Sequence, residues 1–113
     1  SFLPDDKWRR REDRLTQPLE LRVGPPEPQT GNHPLTLVHT LEDWSDPDSL
    51  DPILTVKEYP LPNADAVAAK IRALESKLPV LLVFAPSDTP LGAFMPVLRQ
   101  VRDTHPTVYI FAE

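Results

Sequence analysis

Proline is what most limits this chain: 15 of its 113 residues are proline, and ten of them lie before residue 63. Each proline fixes φ and removes a backbone donor, so helices and central strands avoid it. The first half is therefore expected to be extended and rich in loops. The regular core is expected from residue 63 onward.

Leu19, Leu21 and Val23 alternate with Glu20 and Arg22, which puts them on one face of a short strand. The following GPPEPQTGNHP reads as a linker. Two runs of strand type come next, Leu35–Leu41 and Ile53–Tyr59, separated by the acidic turn-rich loop EDWSDPDSLDP. Pro60 and Pro62 are expected to end the second run. Asn63 can cap a helix by accepting one of its first free N–H groups. Ala64, Val67, Ala68, Ile71 and Leu74 then recur at helical spacing, with Asp65, Lys70, Arg72 and Glu75 off that stripe.

LPVLLVFA is apolar without alternation, the pattern of a strand covered on both faces, or on one face and an edge. Phe94, Val97, Leu98 and Val101 form the stripe of a second helix, with Pro90 suited to its first position. Pro96 cannot donate to the Gly92 carbonyl, so a kink or restart is expected there. TVYIFA is the last strand. The expected fold is α/β, a two-layer α+β sandwich of a small mixed sheet with two helices on one face, in the order (β)ββαβαβ. Residues 1–34 read as a flexible arm with a short strand and proline-rich linker, and residues 35–113 as the globular domain.

Charge and composition remove several classes of function. The net charge is −5, which argues against nucleic acid as a partner. Residues 1–62 carry 7 basic and 12 acidic residues, whereas residues 63–113 carry 5 of each. In the arm, Asp5, Asp6, Glu12 and Asp13 nearly cancel Lys7, Arg9, Arg10, Arg11 and Arg14, as in a solvated, partly disordered or frayed-helical segment. With no cysteine there is no disulfide, thiolate ligand or cysteine nucleophile. No apolar run approaches the roughly 18 residues of a membrane span. The opening Ser1-Phe2-Leu3 reads as the start of a fragment, so an anchor or targeting segment would lie upstream.

No constellation of catalytic or ligating residues emerges. The acidic loop holds Glu42, Asp43, Asp46, Asp48 and Asp51, but Pro47 and Pro52 interrupt it and it lacks the glycine of a calcium loop. His33, His39 and His105 show no ligand spacing. Ser87 lacks the G-x-S-x-G elbow, and three glycines are too few for a phosphate cradle. Asp88 lies just past the apolar strand, where receiver-like domains carry an acidic site, yet no acidic partner is evident for it. Asp88 and Thr89 are better read as a cap on the second helix, where negative charge suits the positive end of the macrodipole. The expectation is no catalytic residue, no metal and no cofactor.

PVLLVFAPSDTPLGAFMPVLRQVR followed by TVYIFAE resembles the C-terminal half of the ExbD/TolR biopolymer-transport family. Asp88, Phe94, Val97, Leu98 and Val101 fall where that pattern has its Asp and helix stripe. LTLVHTL, ILTVKEY and LPNADAVAAKIRAL follow the family's order of two strands and a helix, and LELRVGPPEP resembles its membrane-proximal strand. The chain differs in its acidic loop Glu42–Pro52, in Gly92 and in Pro96. A basic cluster at Lys7–Arg11, just outside the membrane, would also run against the positive-inside rule.

The resemblance implies a periplasmic domain anchored to the inner membrane by an upstream helix. It further implies a homodimer held within ring subunits of ExbB/TolQ type and driven by the proton gradient. Such a domain would contact a TonB/TolA-like protein or peptidoglycan. Leu19, Leu21 and Val23 are the expected partner-binding strand, able to pair with or leave a sheet edge. The alternative is a cytosolic receiver-like or thioredoxin-like interaction or regulatory domain.

Overall fold

The computed structural model describes residues 17–76 and 78–113. The charged cluster Lys7–Arg14 lies outside them. The described elements are β1 (Leu19–Val23), β2 (Leu35–Asp43), β3 (Ile53–Leu61), α1 (Ala64–Leu74), β4 (Val80–Ala85), a 3-10 turn (Leu91–Ala93), α2 (Met95–Gln100) and β5 (Thr107–Ala112). The five strands form one mixed sheet in the order β3-β2-β1-β4-β5. β2 runs antiparallel to both β1 and β3, while β1, β4 and β5 are parallel. The expected mixed sheet with two helices is present. The antiparallel β2 separates it from the all-parallel receiver arrangement.

Side chains alternate across a strand, so the register assigns every residue a face. Leu19, Leu21 and Val23 share a face with Leu35, Leu37, Leu81, Val83 and Ala85. Val67, Ala68 and Ile71 of α1, with Phe94, Val97 and Val101 at α2, pack on that face and complete the core. The other face carries Glu20, Arg22, Val38, Leu82, Phe84, Tyr109 and Phe111 and receives neither helix.

The helix ends follow the local chemistry. Asn63 Oδ1 accepts from the Ala66 N–H at 2.9 Å, the cap expected from sequence. α1 ends at Glu75, whose φ of 50° is left-handed and whose N–H donates to the Arg72 carbonyl at 3.3 Å. Gln100 joins the helices: its Nε2 donates to Asp65 Oδ1 at 2.9 Å, and its carbonyl accepts from the Arg72 guanidinium. Pro96 does interrupt the second helical segment, which is a 3-10 turn followed by a restart at Met95.

Three expectations change. β1 is the middle strand of the sheet, so the globular unit includes Leu19–Val23 and does not begin at residue 35. The three strands expected before residue 63 are present and belong to the core sheet, so the regular core does not start at residue 63. β3 also continues through Pro60 to Leu61, because an edge strand tolerates a residue that cannot donate outward.

Candidate functional site

The partner-binding strand expected from sequence lies in the core. Leu19 and Leu21 are 0 % exposed and Val23 is 5 % exposed. The backbone of β1 pairs with β2 on one side and β4 on the other, so neither edge is free. The alternation was correctly read, but it reports a buried face and not an edge that opens. The ladder extends upstream of the strand: the Gln17 N–H donates to the Thr40 carbonyl at 3.2 Å, and Gln17 Nε2 donates to Glu42 Oε2 at 2.8 Å.

The expected cap at Asp88 and Thr89 is also absent. Neither the 3-10 turn nor α2 has a side-chain cap, and Pro90 and Phe94 occupy the two cap positions. Asp88 is exposed. Thr89 donates its backbone N–H to the Pro86 carbonyl at 3.0 Å, while its buried Oγ1 has no hydrogen-bond partner among the described residues. The cause is local. Pro86 and Pro90 set a tight turn that spends the polar tip on backbone bonds before the helical segment starts. The Ser87 N–H reaches the Glu113 carbonyl at 3.1 Å, tying this turn to the end of β5.

Two carboxylates of the acidic loop are committed to its own turns. Asp43 Oδ1 accepts from the Ser45 N–H at 2.9 Å and Asp46 Oδ1 from the Asp48 N–H at 3.0 Å. Those Ser45 contacts hold the Asp43 carboxyl below its usual range. Among the described residues, no group of three or more His, Cys, Asp or Glu is placed to hold a metal ion. His39 and His105 are buried, at 7 % and 3 % exposure, and their Nε2 atoms find no partner among the described residues. Burial pushes both imidazoles below the usual value; Lys57 lowers His39 further, and Asp103 partly offsets the shift of His105.

A crevice of about 440 Å3 lies beyond the carboxyl ends of β1 and β4, lined by His33, Leu35, Asn63, Pro90, Gly92 and Pro96 among others. Ligands bind in open α/β sheets at such a place. Here two of the polar atoms in the lining are already engaged: His33 Nδ1 is 2.8 Å from the Gly24 carbonyl, and Asn63 Oδ1 caps α1.

The surface that the sequence reading missed is β5. Tyr109, Ile110 and Phe111 are 55 %, 50 % and 45 % exposed, and no described strand lies beyond them. The signal was present in TVYIFA, a strand-type run without charge or proline. The other border of the sheet, β3, carries Lys57, Glu58 and Pro60, devices that discourage pairing. No family model, curated protein or solved structure matches the chain.

Proposed function

We propose that this chain is the non-enzymatic periplasmic domain of a proton-driven stator or transport subunit, anchored to the inner membrane by a helix upstream of Ser1. In this reading it works as a homodimer beside a ring subunit of ExbB/TolQ type. It passes force to a TonB/TolA-like protein or grips peptidoglycan. Its task is to hold and to be pulled.

The position of β1 supports this reading. A pull arriving from the upstream chain reaches Gln17 and then the central strand, whose pairs with β2 and β4 lie on opposite sides. Rupture along the strand axis must break both ladders together, whereas an edge strand can be peeled one bond at a time. The three buried side chains of β1 also tie the load to the core of both helices.

Fractionation of cells expressing the full-length gene, together with co-purification of a ring subunit from detergent-solubilised membranes, tests the proposal. Recovery in the membrane fraction, with this domain open to protease only after the outer membrane is permeabilised, is the expected result. Recovery in the cytosol without a membrane partner would overturn it.

A further inference from the structure

We infer that the chain carries a self-cleaving bond: in mild acid Asp51–Pro52 hydrolyses through the Asp51 side chain, and the two pieces stay together as one folded body. The inference stands on the loop between β2 and β3 and does not rest on the proposed function.

Asp–Pro is the peptide linkage most easily broken by acid. The aspartate carboxyl lies within reach of its own main-chain carbonyl carbon, so attack is intramolecular and gains from proximity. A carboxylate is a competent nucleophile at an acyl centre. The prolyl nitrogen carries no hydrogen, is more basic than an ordinary peptide nitrogen and leaves as a secondary amine.

Two such bonds occur in the sequence, Asp46–Pro47 and Asp51–Pro52, both in this loop, and the structure tells them apart. At Asp46 the nucleophile is engaged: Oδ1 accepts from the Asp48 N–H at 3.0 Å. The Asp46 carbonyl accepts from the Ser49 N–H at 3.2 Å, which locks the residue into a turn. Asp51 is exposed, and among the described residues its carboxylate makes no hydrogen bond or ion pair. Its carbonyl accepts from the Ser49 hydroxyl, and its N–H donates to Ser49 Oγ at 3.3 Å. A hydroxyl donor thus meets the oxygen on which negative charge develops during attack.

The reaction is a hydrolysis in which nothing is oxidised or reduced. One Asp51 carboxylate oxygen forms a C–O bond to the Asp51 carbonyl carbon, and the carbonyl oxygen takes the displaced electron pair beside the Ser49 hydroxyl. That pair returns as the C–N bond breaks, and the nitrogen of Pro52 leaves with its own pair and a proton from solvent. Water then opens the cyclic anhydride left on Asp51. One water is consumed, giving a piece that ends in the α-carboxyl of Asp51 and a piece that begins with the amine of Pro52. Because the leaving nitrogen needs a proton, cutting accelerates as pH falls.

The sheet keeps the pieces together. Residues 1–51 bring β1 and β2, while residues 52–113 bring β3, β4, β5 and both helices. In the order β3-β2-β1-β4-β5 the first piece lies between two strands of the second, with β2 paired to β3 and β1 to β4. The cut lies beyond the last pair of the β2–β3 ladder, Asp43 with Ile53, so no ladder bond is lost.

Mass spectrometry of the 113-residue chain, held for weeks at the lowest pH where its circular dichroism stays native, tests this. The expected products are 1–51 and 52–113, co-eluting on size exclusion until urea is added. Asp51–Pro52 should be cut roughly fivefold faster than Asp46–Pro47, the worth of about one hydrogen bond to the competing carboxylate. Urea at the same pH should bring the two rates together. Asp51→Ala should abolish the first cut. Ser49→Ala should slow it roughly fivefold and spare Asp46–Pro47, which Ser49 meets only through its backbone N–H. Asp51 is exposed and Ser49 partly so, and both variants should keep the wild-type circular dichroism. A folded chain that stays intact, or that is cut equally at the two bonds, overturns the inference. So does an Asp51–Pro52 rate indifferent to Ser49→Ala, or a pair of pieces that separates without denaturant.

Discussion

Phe84 of β4 and Phe111 of β5 stack with ring centroids 5.0 Å apart and planes 16° from parallel. They are partners in the parallel register, on the face that receives neither helix. An offset stack of this kind is worth about 0.5–1.5 kcal/mol beyond area burial. A double-mutant cycle of Phe84→Ala and Phe111→Ala, read by urea denaturation, should return a coupling in that range. A coupling near zero would mean that the rings only share a neighbourhood. Measured at a concentration where the chain is monomeric, the cycle isolates the intramolecular pair.

The centrality of β1 leads to a second expectation. Leu21 is fully buried between β2 and β4, so Leu21→Ala should destabilise the fold by about 2–5 kcal/mol. Val56, exposed on β3, should cost about 0.5 kcal/mol or less when cut to alanine. Chemical denaturation midpoints decide between this picture and a detachable leader strand. A leader strand would make Leu21→Ala nearly as mild as Val56→Ala.

Hydrophobic period carried most of the fold in advance. Val67, Ala68 and Ile71 recur at helical spacing, and Val80–Ala85 is continuously apolar, with Leu81, Val83 and Ala85 buried under the helices and Val80, Leu82 and Phe84 partly buried on the other face. The place of β1 was not legible. Leu19, Leu21 and Val23 read the same on an edge or in the centre, since alternation reports which face is buried and says nothing of lateral neighbours. The dense prolines that follow made the strand look like a leader. In the structure they turn the chain back toward β2, where the Gly24 N–H donates to the Pro34 carbonyl at 2.9 Å. The turn at Asp88 misled for a related reason. Cap-type residues announce a helix start, but Pro86 and Pro90 had already fixed the backbone around them.

That turn can be tested directly. If Asp88 and Thr89 capped a helix, their removal would cost about 0.5–2 kcal/mol each. Since neither makes a cap bond, Asp88→Ala should change stability by less than about 0.5 kcal/mol. Thr89→Val replaces a buried hydroxyl that lacks a partner among the described residues with a methyl group of similar shape. It should be neutral or stabilising by about 1 kcal/mol. A loss above that for either variant, seen in thermal or urea melts, would restore the capping role.

Glu75 closes α1 at a φ of 50°, the one non-glycine residue with positive φ among those described. A side chain in the left-handed region costs about 1–2 kcal/mol, and glycine escapes that cost while adding about 0.4–1 kcal/mol of chain entropy to the unfolded state. Glu75→Gly should therefore stabilise by about 0.5–1 kcal/mol in urea titration. A destabilisation of the same size would show that Glu75 makes a compensating contact.

The two buried histidines make stability depend on pH in a defined window. His39 and His105 both titrate below 6.5 in the folded chain, because burial opposes the charged imidazole. Lys57 adds to this at His39, while Asp103 works against it at His105. The unfolded chain thus takes up protons first as pH falls through 6.5, and stability declines from there until the folded histidines protonate in turn. Above that window neither residue contributes a slope. Asp43, held low by Ser45, acts in the same direction but only near and below 3.8, so its effect is separated from theirs. Urea midpoints taken from neutral pH down to about 5 should fall steadily in the wild type. Replacing both histidines with leucine keeps the sites apolar and should flatten the profile across that range. A wild-type profile already flat between neutral pH and 5 would mean that both rings reach water in solution.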